Sequence, residues 1–301
     1  MTDFQWIAVD WGTTRLRAWG MSGDTVTFQR EADTGMGGLT RDGFESALLD
    51  LIGDLLPSRR LTHVVACGMV GARQGWVEAG YRAVPCAPLA DDFVRAPTTD
   101  PRLSVHVVGG LSQMDPGDVM RGEETQIAGF QAMNPKFDGV ICLPGSHSKW
   151  VHVSAGEVVS FQTFMTGELF AALSNHTVLR HTIGGDGWDN DAFAAGVSDA
   201  LSRPERIAAR LFSLRADAVL KDQSAATGRA RLSGMLLGAE LAGAKPYWLG
   251  QSVAVVGATE ISTRYAEALL LQGVSATVAD GRAMTLKGLV AAHAAIKDFA
   301  T

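Results

Sequence analysis

The chain has 301 residues, 47% hydrophobic and 19% charged, with 26 basic residues against 32 acidic ones for a net charge of −6. That is enough apolar chain to core one large or two medium domains. An acidic balance without a dense basic run excludes a general nucleic-acid or anionic-membrane surface, while single arginines can still hold a small anion.

Cys67, Cys86 and Cys142 show no C-x-x-C spacing, so neither a disulfide framework nor a zinc site is expected. The opening MTDFQWIAVDWG carries no basic segment and no long apolar core, and no apolar run of ~18 residues follows elsewhere. A cytoplasmic protein with small-molecule partners, no nucleic acid and no membrane is the expectation; a homo-oligomer stays open.

In chain order, Ile7–Asp10, Arg15–Met21 and Val26–Ala32 read as three short strands of an antiparallel meander. The first turn, in DWGTTR, places Gly12, Thr13 and Thr14 at a hairpin tip where a close backbone approach and two hydroxyls can hold phosphate, and Asp10 can hold a hydrated magnesium ion. The same residues also suit an ordinary hairpin whose Asp and Thr satisfy the turn backbone. Arg41–Leu56 has a helical apolar period through Phe44, Leu48, Leu51, Ile52 and Leu55, and Pro57 closes it. His63–Cys67 is a strand opening into GMVGARQGW, and Ser104–Val108 is a strand opening into GGLSQMDPGDVMRGEE. In VMRGEETQIAGF, Arg121 precedes Glu123 and Glu124 at a helix start, where carboxylates complement the helix dipole. The pair lies between two hairpin plans, which also suits an acid–base role.

The second plan starts at Gly139, where GVICLPGSHSKWVHVSAGEVVSF again reads strand, glycine turn, strand, turn, strand. Two related domains follow, with the boundary near Pro135–Gly139 and the domains taken as 1–136 and 137–301. Gly145 and Ser146 occupy the second tip. Lys149 does not make this a Walker loop, because G-x-x-x-x-G-K-[ST] is missing and WVHVS reads as strand. His147 reads as a structural donor of the turn. Helices are expected over Gly167–Leu173, Asp189–Leu201, Pro204–Val219 and Arg229–Ala244. VVGATEISTRYAEAL then gives a strand, a small-residue turn at Gly257, Ala258 and Thr259, and a helix. That turn suits the ribose or phosphate edge of a nucleotide, and equally a plain turn capped by Thr259 or Ser262. A strand at Ala276–Val278 and a helix over Thr285–Lys297 end the chain.

These pieces, in this order, resemble the actin, sugar-kinase and heat-shock-chaperone superfamily. DWGTTRLRAW, GMVGARQGW, VMRGEETQ, LPGSHSKWV and MTGEL together make the whole chain similar to the 2-dehydro-3-deoxygalactonokinase family. The resemblance implies an α/β fold of two ribonuclease-H-like (actin-like ATPase) domains around an interdomain cleft. It implies transfer of a phosphoryl group from magnesium-ATP to the 6-hydroxyl of 2-dehydro-3-deoxy-D-galactonate in galactonate catabolism. RGEETQIAGFQ before PGSHSKW is also similar to glycerol-kinase-type enzymes, in which GDQQ precedes the second phosphate hairpin. This puts Glu123 in place of their catalytic aspartate, with Glu124 as competitor, and His147 where they show glycine. The implied site has Glu123 and Asp10 as catalytic residues, with Asp10 also at the metal. Gly12, Thr13, Thr14, Gly145, Ser146, Gly257, Ala258 and Thr259 are placed at the nucleotide, and Arg15, Gly71, Trp76 and Arg121 at the sugar acid. The competing readings are another sugar or sugar-acid kinase, a phosphohydrolase of the same superfamily, and a non-catalytic nucleotide-gated sugar sensor.

Overall fold

A computed structural model of the protein describes residues 4–296. The apolar run of the first strand, β1 (Trp6–Trp11), sends alternate residues to two different cores. Ile7, Val9 and Trp11 join one cluster, and Trp6 and Ala8 join another. β1 therefore has to lie inside a sheet covered on both faces. β2 (Leu16–Ser22) and β3 (Thr25–Ala32) complete the meander. After α1 (Phe44–Ile52), which buries Phe44, Leu48 and Ile52 on the first face, β4 (Thr62–Gly68) returns parallel to β1. The expected helix over Arg41–Leu56 is shorter in fact, with a 3₁₀ turn at Arg41–Gly43 before it.

β5 (Tyr81–Ala83), β6 (Val94–Arg95) and β7 (Leu103–Val107) follow, giving a six-stranded sheet in the order β3-β2-β1-β4-β7-β6. The stretch after Val108, to which the sequence reading assigns no element, is largely strand. β8 (Gly110–Met114) and β9 (Gly117–Met120) form a hairpin about Asp115-Pro116, and β5 pairs parallel to β8 in a separate three-stranded sheet. α2 (Glu123–Met133) comes next.

The second plan gives β10 (Gly139–Leu143), β11 (Ser148–Ser154) and β12 (Glu157–Phe164). Five helices, α3 (Thr166–His176), α4 (Asn190–Ser202), α5 (Ile207–Leu220), α6 (Ala225–Gly243) and α7 (Lys245–Trp248), separate them from β13 (Val253–Gly257), α8 (Thr259–Leu270) and β14 (Ala276–Asp280). The sheet runs β12-β11-β10-β13-β14, antiparallel between β10 and β11 and parallel from β10 through β14. Asp189 caps α4 by accepting from Ala192 N at 3.0 Å, and Ser224 caps α6 by accepting from Thr227 N at 3.1 Å. Phe193 and Val197 of α4 pack with Ala230, Leu237 and Leu241 of α6 over the sheet residues Val140, Cys142, Val253 and Val255.

Both large sheets thus repeat one order, a three-strand meander followed by two parallel strands, with the two-residue β6 added antiparallel at the edge of the first. This is the ribonuclease-H-like plan of actin-like ATPases, in an α/β protein.

The last helix, α9 (Gly281–Ala295), goes back to the first sheet. Leu289, Ala292 and Ile296 join the cluster of Trp6, Ala8, Trp19, Met21, Val65 and Cys67. α9 also crosses α2 at very short range: a Cβ at Gly129 would lie 1.9 Å from Met284 O, and one at Gly288 would lie 1.9 Å from Thr125 O. The chain accordingly divides into unit 1, Met1–Phe137 with Ser154–Ser160 and Gly281–Thr301, and unit 2, Asp138–Val153 with Phe161–Asp280. A division into 1–136 and 137–301 leaves out this return. The short middle segment joins unit 1 through paired backbone bonds between Cys86 and Val158. The end of the last helix expected at Lys297 lies outside the described residues. Among those residues no helix is long and apolar enough to cross a membrane.

Candidate active site

In unit 1 the first tip is built by β1 and β2. Their register sets Asp10 opposite Arg17, whose Nη1 donates to Asp10 Oδ2 at 2.9 Å. Arg17 is held in turn by Glu31, which also receives Arg15 and Arg282. Burial pushes the Asp10 carboxyl up from its ordinary value, and Arg17 opposes the shift. Gly12 N–H donates to Arg15 O at 2.9 Å, so it closes the turn instead of facing a ligand, and the exposed hydroxyls of Thr13 and Thr14 are what the tip offers. A backbone collar fixes the tip from behind: Gly35 N donates to Thr14 O at 3.2 Å, Met36 N to Gly12 O at 3.0 Å and Gly37 N to Thr13 O at 2.8 Å. Only glycine fits at Gly35, where a Cβ would lie 2.4 Å from Thr13 O.

Among the described residues no three His, Cys, Asp or Glu side chains group as a metal cage. A single carboxylate near a strand end, Asp10, with Arg17 on one of its oxygens, fits a hydrated magnesium ion, which commonly reaches a protein through one or two carboxylates plus waters and phosphates.

The second element of unit 1 starts at Gly122, whose φ of 102° turns the chain into α2. Glu123 accepts from Arg121 N at 3.0 Å and is half-buried, so it retains access to solvent. Glu124 is fully buried, accepting from Gly122 N at 2.6 Å and Thr125 Oγ1 at 3.1 Å. Burial first, and the neighbouring Glu123 charge second, push its carboxyl up to about 7.

Arg121 is buried, with its guanidinium held by a backbone carbonyl and an aromatic ring. Its Nη2 donates to Ala79 O at 2.5 Å, its guanidinium lies 4.3 Å from the Tyr81 ring centroid, and its Nη1 has no hydrogen-bond partner. Gly71 leaves that nitrogen its room, since a Cβ there would sit 2.7 Å from Nη1. The other residues expected at the sugar acid are engaged elsewhere. Arg15 is exposed and ion-paired with Glu31 at 3.3 Å and Asp33 at 3.6 Å. Trp76 is a core residue, 3% exposed, donating to Pro97 O at 3.0 Å and edge-on to Trp11.

In unit 2 the tip between β10 and β11 rests on the start of α3. Glu168 N donates to Ser146 O at 2.9 Å, and His147 Nε2 bonds Glu168 Oε2 at 2.5 Å, so His147 has a structural tie. Nothing lies within 4 Å of a Cβ built at Gly145, whereas one at Gly167 would fall 2.3 Å from Gly145 O. The tip is open in front and closed behind. Lys149 is buried in β11 with Nζ at 3.4 Å from His147 O, in keeping with a strand residue.

Unit 2 also contains a cavity of about 330 Å³. Ala258, Ile261, Arg264 and Tyr265 line it at helical spacing along α8, with Thr166 of α3 and Trp188 opposite. The Arg264 guanidinium lies 3.6 Å from the Trp188 ring centroid. Of the turn expected at the nucleotide, Ala258 faces this cavity. Gly257 packs beneath, with a hypothetical Cβ 2.9 Å from Ser262 Oγ and 3.1 Å from Pro144 Cγ, and Thr259 begins α8 without a side-chain cap. Trp188 and Arg264 were missed because a tryptophan before a helix reads as core; the i, i+3, i+6, i+7 run from Ala258 was the available signal.

The profile of the 2-keto-3-deoxy-galactonokinase family matches residues 10–292. A protein of Rhizobium meliloti (strain 1021) described as a 2-dehydro-3-deoxygalactonokinase is 40% identical over 301 residues, covering 96% of each chain. The 2-dehydro-3-deoxygalactonokinase of Escherichia coli (strain K12) is 34% identical over 280 residues, covering 92% of this chain and 93% of its own. A crystal structure from Sinorhizobium meliloti, described as the same kind of kinase, superposes with a TM-score of 0.90 at 37% identity, covering 96% of this chain and 98% of its own. Component A of the Acidaminococcus fermentans (R)-2-hydroxyglutaryl-CoA dehydratase, at a TM-score of 0.55 and 13% identity over 99% of this chain and all of its own, shares the fold only. With the match running from Asp10 of the first tip to the last turn of α9, the chain belongs to the 2-keto-3-deoxy-galactonokinase family.

Proposed function

We propose that the protein transfers the γ-phosphoryl group of ATP to the 6-hydroxyl of 2-dehydro-3-deoxy-D-galactonate, as a step of galactonate catabolism. The observation that carries the reading beyond the family is the buried Arg121 Nη1 without a partner, two residues from a solvent-accessible carboxylate. A buried guanidinium nitrogen without an acceptor calls for one, and a sugar acid brings a carboxylate on the molecule to be phosphorylated.

Arg121 binds the substrate carboxylate, with Gly71 keeping its place clear. Glu123 takes the proton of the attacking hydroxyl, because it reaches solvent whereas Glu124 is closed in by Gly122 and Thr125. Thr13 and Thr14 in unit 1, and Gly145 and Ser146 in unit 2, donate to nucleotide phosphates. The cavity of unit 2 takes the base against Trp188 and Arg264. Asp10 holds magnesium, which supplies charge neutralisation on the transferred group when bound. Arg15 and Trp76 have no part in this assignment.

The test measures ADP release with and without the sugar acid. Strong stimulation is expected; release independent of the acid identifies a phosphohydrolase, and binding without turnover a sensor. In the same assay Glu123→Gln lowers kcat ~10²–10⁴-fold with ATP binding nearly unchanged. Normal turnover in that variant removes the base from this turn. Arg121→Ala raises KM for the acid by about one to two decades and leaves KM for ATP within a few-fold; an ATP-only effect moves Arg121 to the phosphates.

A further inference from the structure

A buried carboxylate of unit 2 is Glu240, on α6, 2% exposed and remote in sequence from every motif. Its carboxylate accepts from four side chains on three other elements. Ser148 Oγ and Tyr265 OH each donate to Oε2 at 2.8 Å, Trp150 Nε1 donates to Oε1 at 2.8 Å, and the Thr166 hydroxyl donates as well. All four of these donors are neutral, and together they stand in for a counter-ion. A carboxylate satisfied by neutral donors in a low dielectric fixes each donor tightly, because any donor that leaves also uncovers the charge.

What those donors belong to decides the role. Ser148 is the first residue of β11, two residues past Ser146 of the open tip. Thr166 begins α3, whose first turn supports that tip through Glu168 N and Ser146 O. Thr166 and Tyr265 both line the cavity. Trp150 ties the same carboxylate to the middle of the hairpin strand. One side chain therefore fastens the root of the tip, the start of the helix behind it and the floor of the cavity.

We infer that Glu240 is a positioning residue for the nucleotide, setting the Gly145–Ser146 tip and the base cavity in fixed register within unit 2. The inference rests on the proposed assignment of that tip and cavity to ATP. It does not depend on which sugar acid is phosphorylated.

The test compares Glu240→Gln and Ser148→Ala with the unmodified chain for ADP affinity by calorimetry, for KM of ATP and of the sugar acid, and for thermal stability. In Glu240→Gln the amide oxygen can still serve Trp150, but the hydroxyls of Ser148, Thr166 and Tyr265 lose a charged acceptor and have to turn. The expected result is a rise of about tenfold in KM for ATP and in the ADP dissociation constant, with KM for the acid within about twofold. A folded variant with a lower melting temperature and both KM values unchanged overturns the inference, since that is all a merely structural glutamate would show. If Glu240→Gln does not fold, Ser148→Ala decides: it removes one donor and keeps three, so about threefold weaker ADP binding supports the role and unchanged binding overturns it. Absence of ADP binding by the unmodified chain overturns the nucleotide reading itself, a failure distinct from equal binding by all three proteins.

Discussion

The two hairpin tips are copies of one plan with opposite means of support. At the first, neighbouring backbone does the work: a collar from Gly35 to Gly37 grips the carbonyls of Gly12, Thr13 and Thr14, and an acid stands at the strand end with Arg17 on it. At the second, side chains and a helix start do it, through Glu168 behind the turn and Glu240 below. The difference teaches that the duplicated strand order fixes where a tip lies, while the chemistry it offers comes from what packs behind it. A tip with an adjacent carboxylate suits a cation, and one backed by a helix N-terminus suits an anion.

The largest effect that sharpens this contrast is expected from Asp10→Asn. Its turnover should fall ~10²–10³-fold across a magnesium titration while the melting temperature changes little, and Ser146→Ala at the other tip should cost only a few-fold. Equal losses at the two tips would erase the distinction between a metal side and a phosphate side.

Next in size is a difference between the buried acids. Glu124 is held by two backbone N–H groups, its own and that of Gly122, and by one hydroxyl, whereas Glu240 has four side-chain donors. The Glu124 carboxyl titrates at about 7 when folded against an ordinary 4.5. Between those values the folded chain keeps a proton that the unfolded chain has released, so stability falls as pH rises from about 4.5 to about 7 and is level above, by about 3 kcal/mol in all. Urea unfolding at a series of pH values should show this slope in the unmodified chain and a shallower one in Glu124→Gln, because burial also raises Asp10 and Glu240. A slope unchanged by the substitution belongs to those other groups.

The smallest expected effect comes from the glycines behind the tips. Gly35→Ala presses on the Thr13–Thr14 backbone and Gly167→Ala on Gly145 and Ser146, so each should raise KM for ATP about tenfold by displacing its tip. A change at one glycine only would show which tip carries more of the nucleotide's binding.

Sequence made the repeated meander readable because strands of period two, broken by glycine turns, leave few alternatives. It did not reveal where α9 docks, since an amphipathic helix states that it has a buried face and not which sheet receives it; Gly129 and Gly288 show their purpose only once α2 and α9 cross. The β8–β9 hairpin was hidden by its glycines and polar residues, although Asp115-Pro116-Gly117 is a turn signal. At the site, Arg121 and Glu123 could be singled out from one short motif. Trp76, expected at the sugar acid, is buried in the core with its indole N–H on Pro97 O, a placement that depends on a chain segment distant from its own motif. Glu240 stayed invisible because its four donors come from segments distant in sequence.

The return of α9 to the first sheet has a consequence for the order in which the chain matures on the ribosome. Every strand of unit 1 emerges early, yet the face bearing Trp6, Ala8, Trp19 and Met21 receives Leu289 and Ala292 only after unit 2 has been translated. The usual sequence of N-terminal unit first is therefore inverted. The unit begun first waits with this apolar sheet face only partly covered until α9 has been made, making it the half for which a holding chaperone matters most.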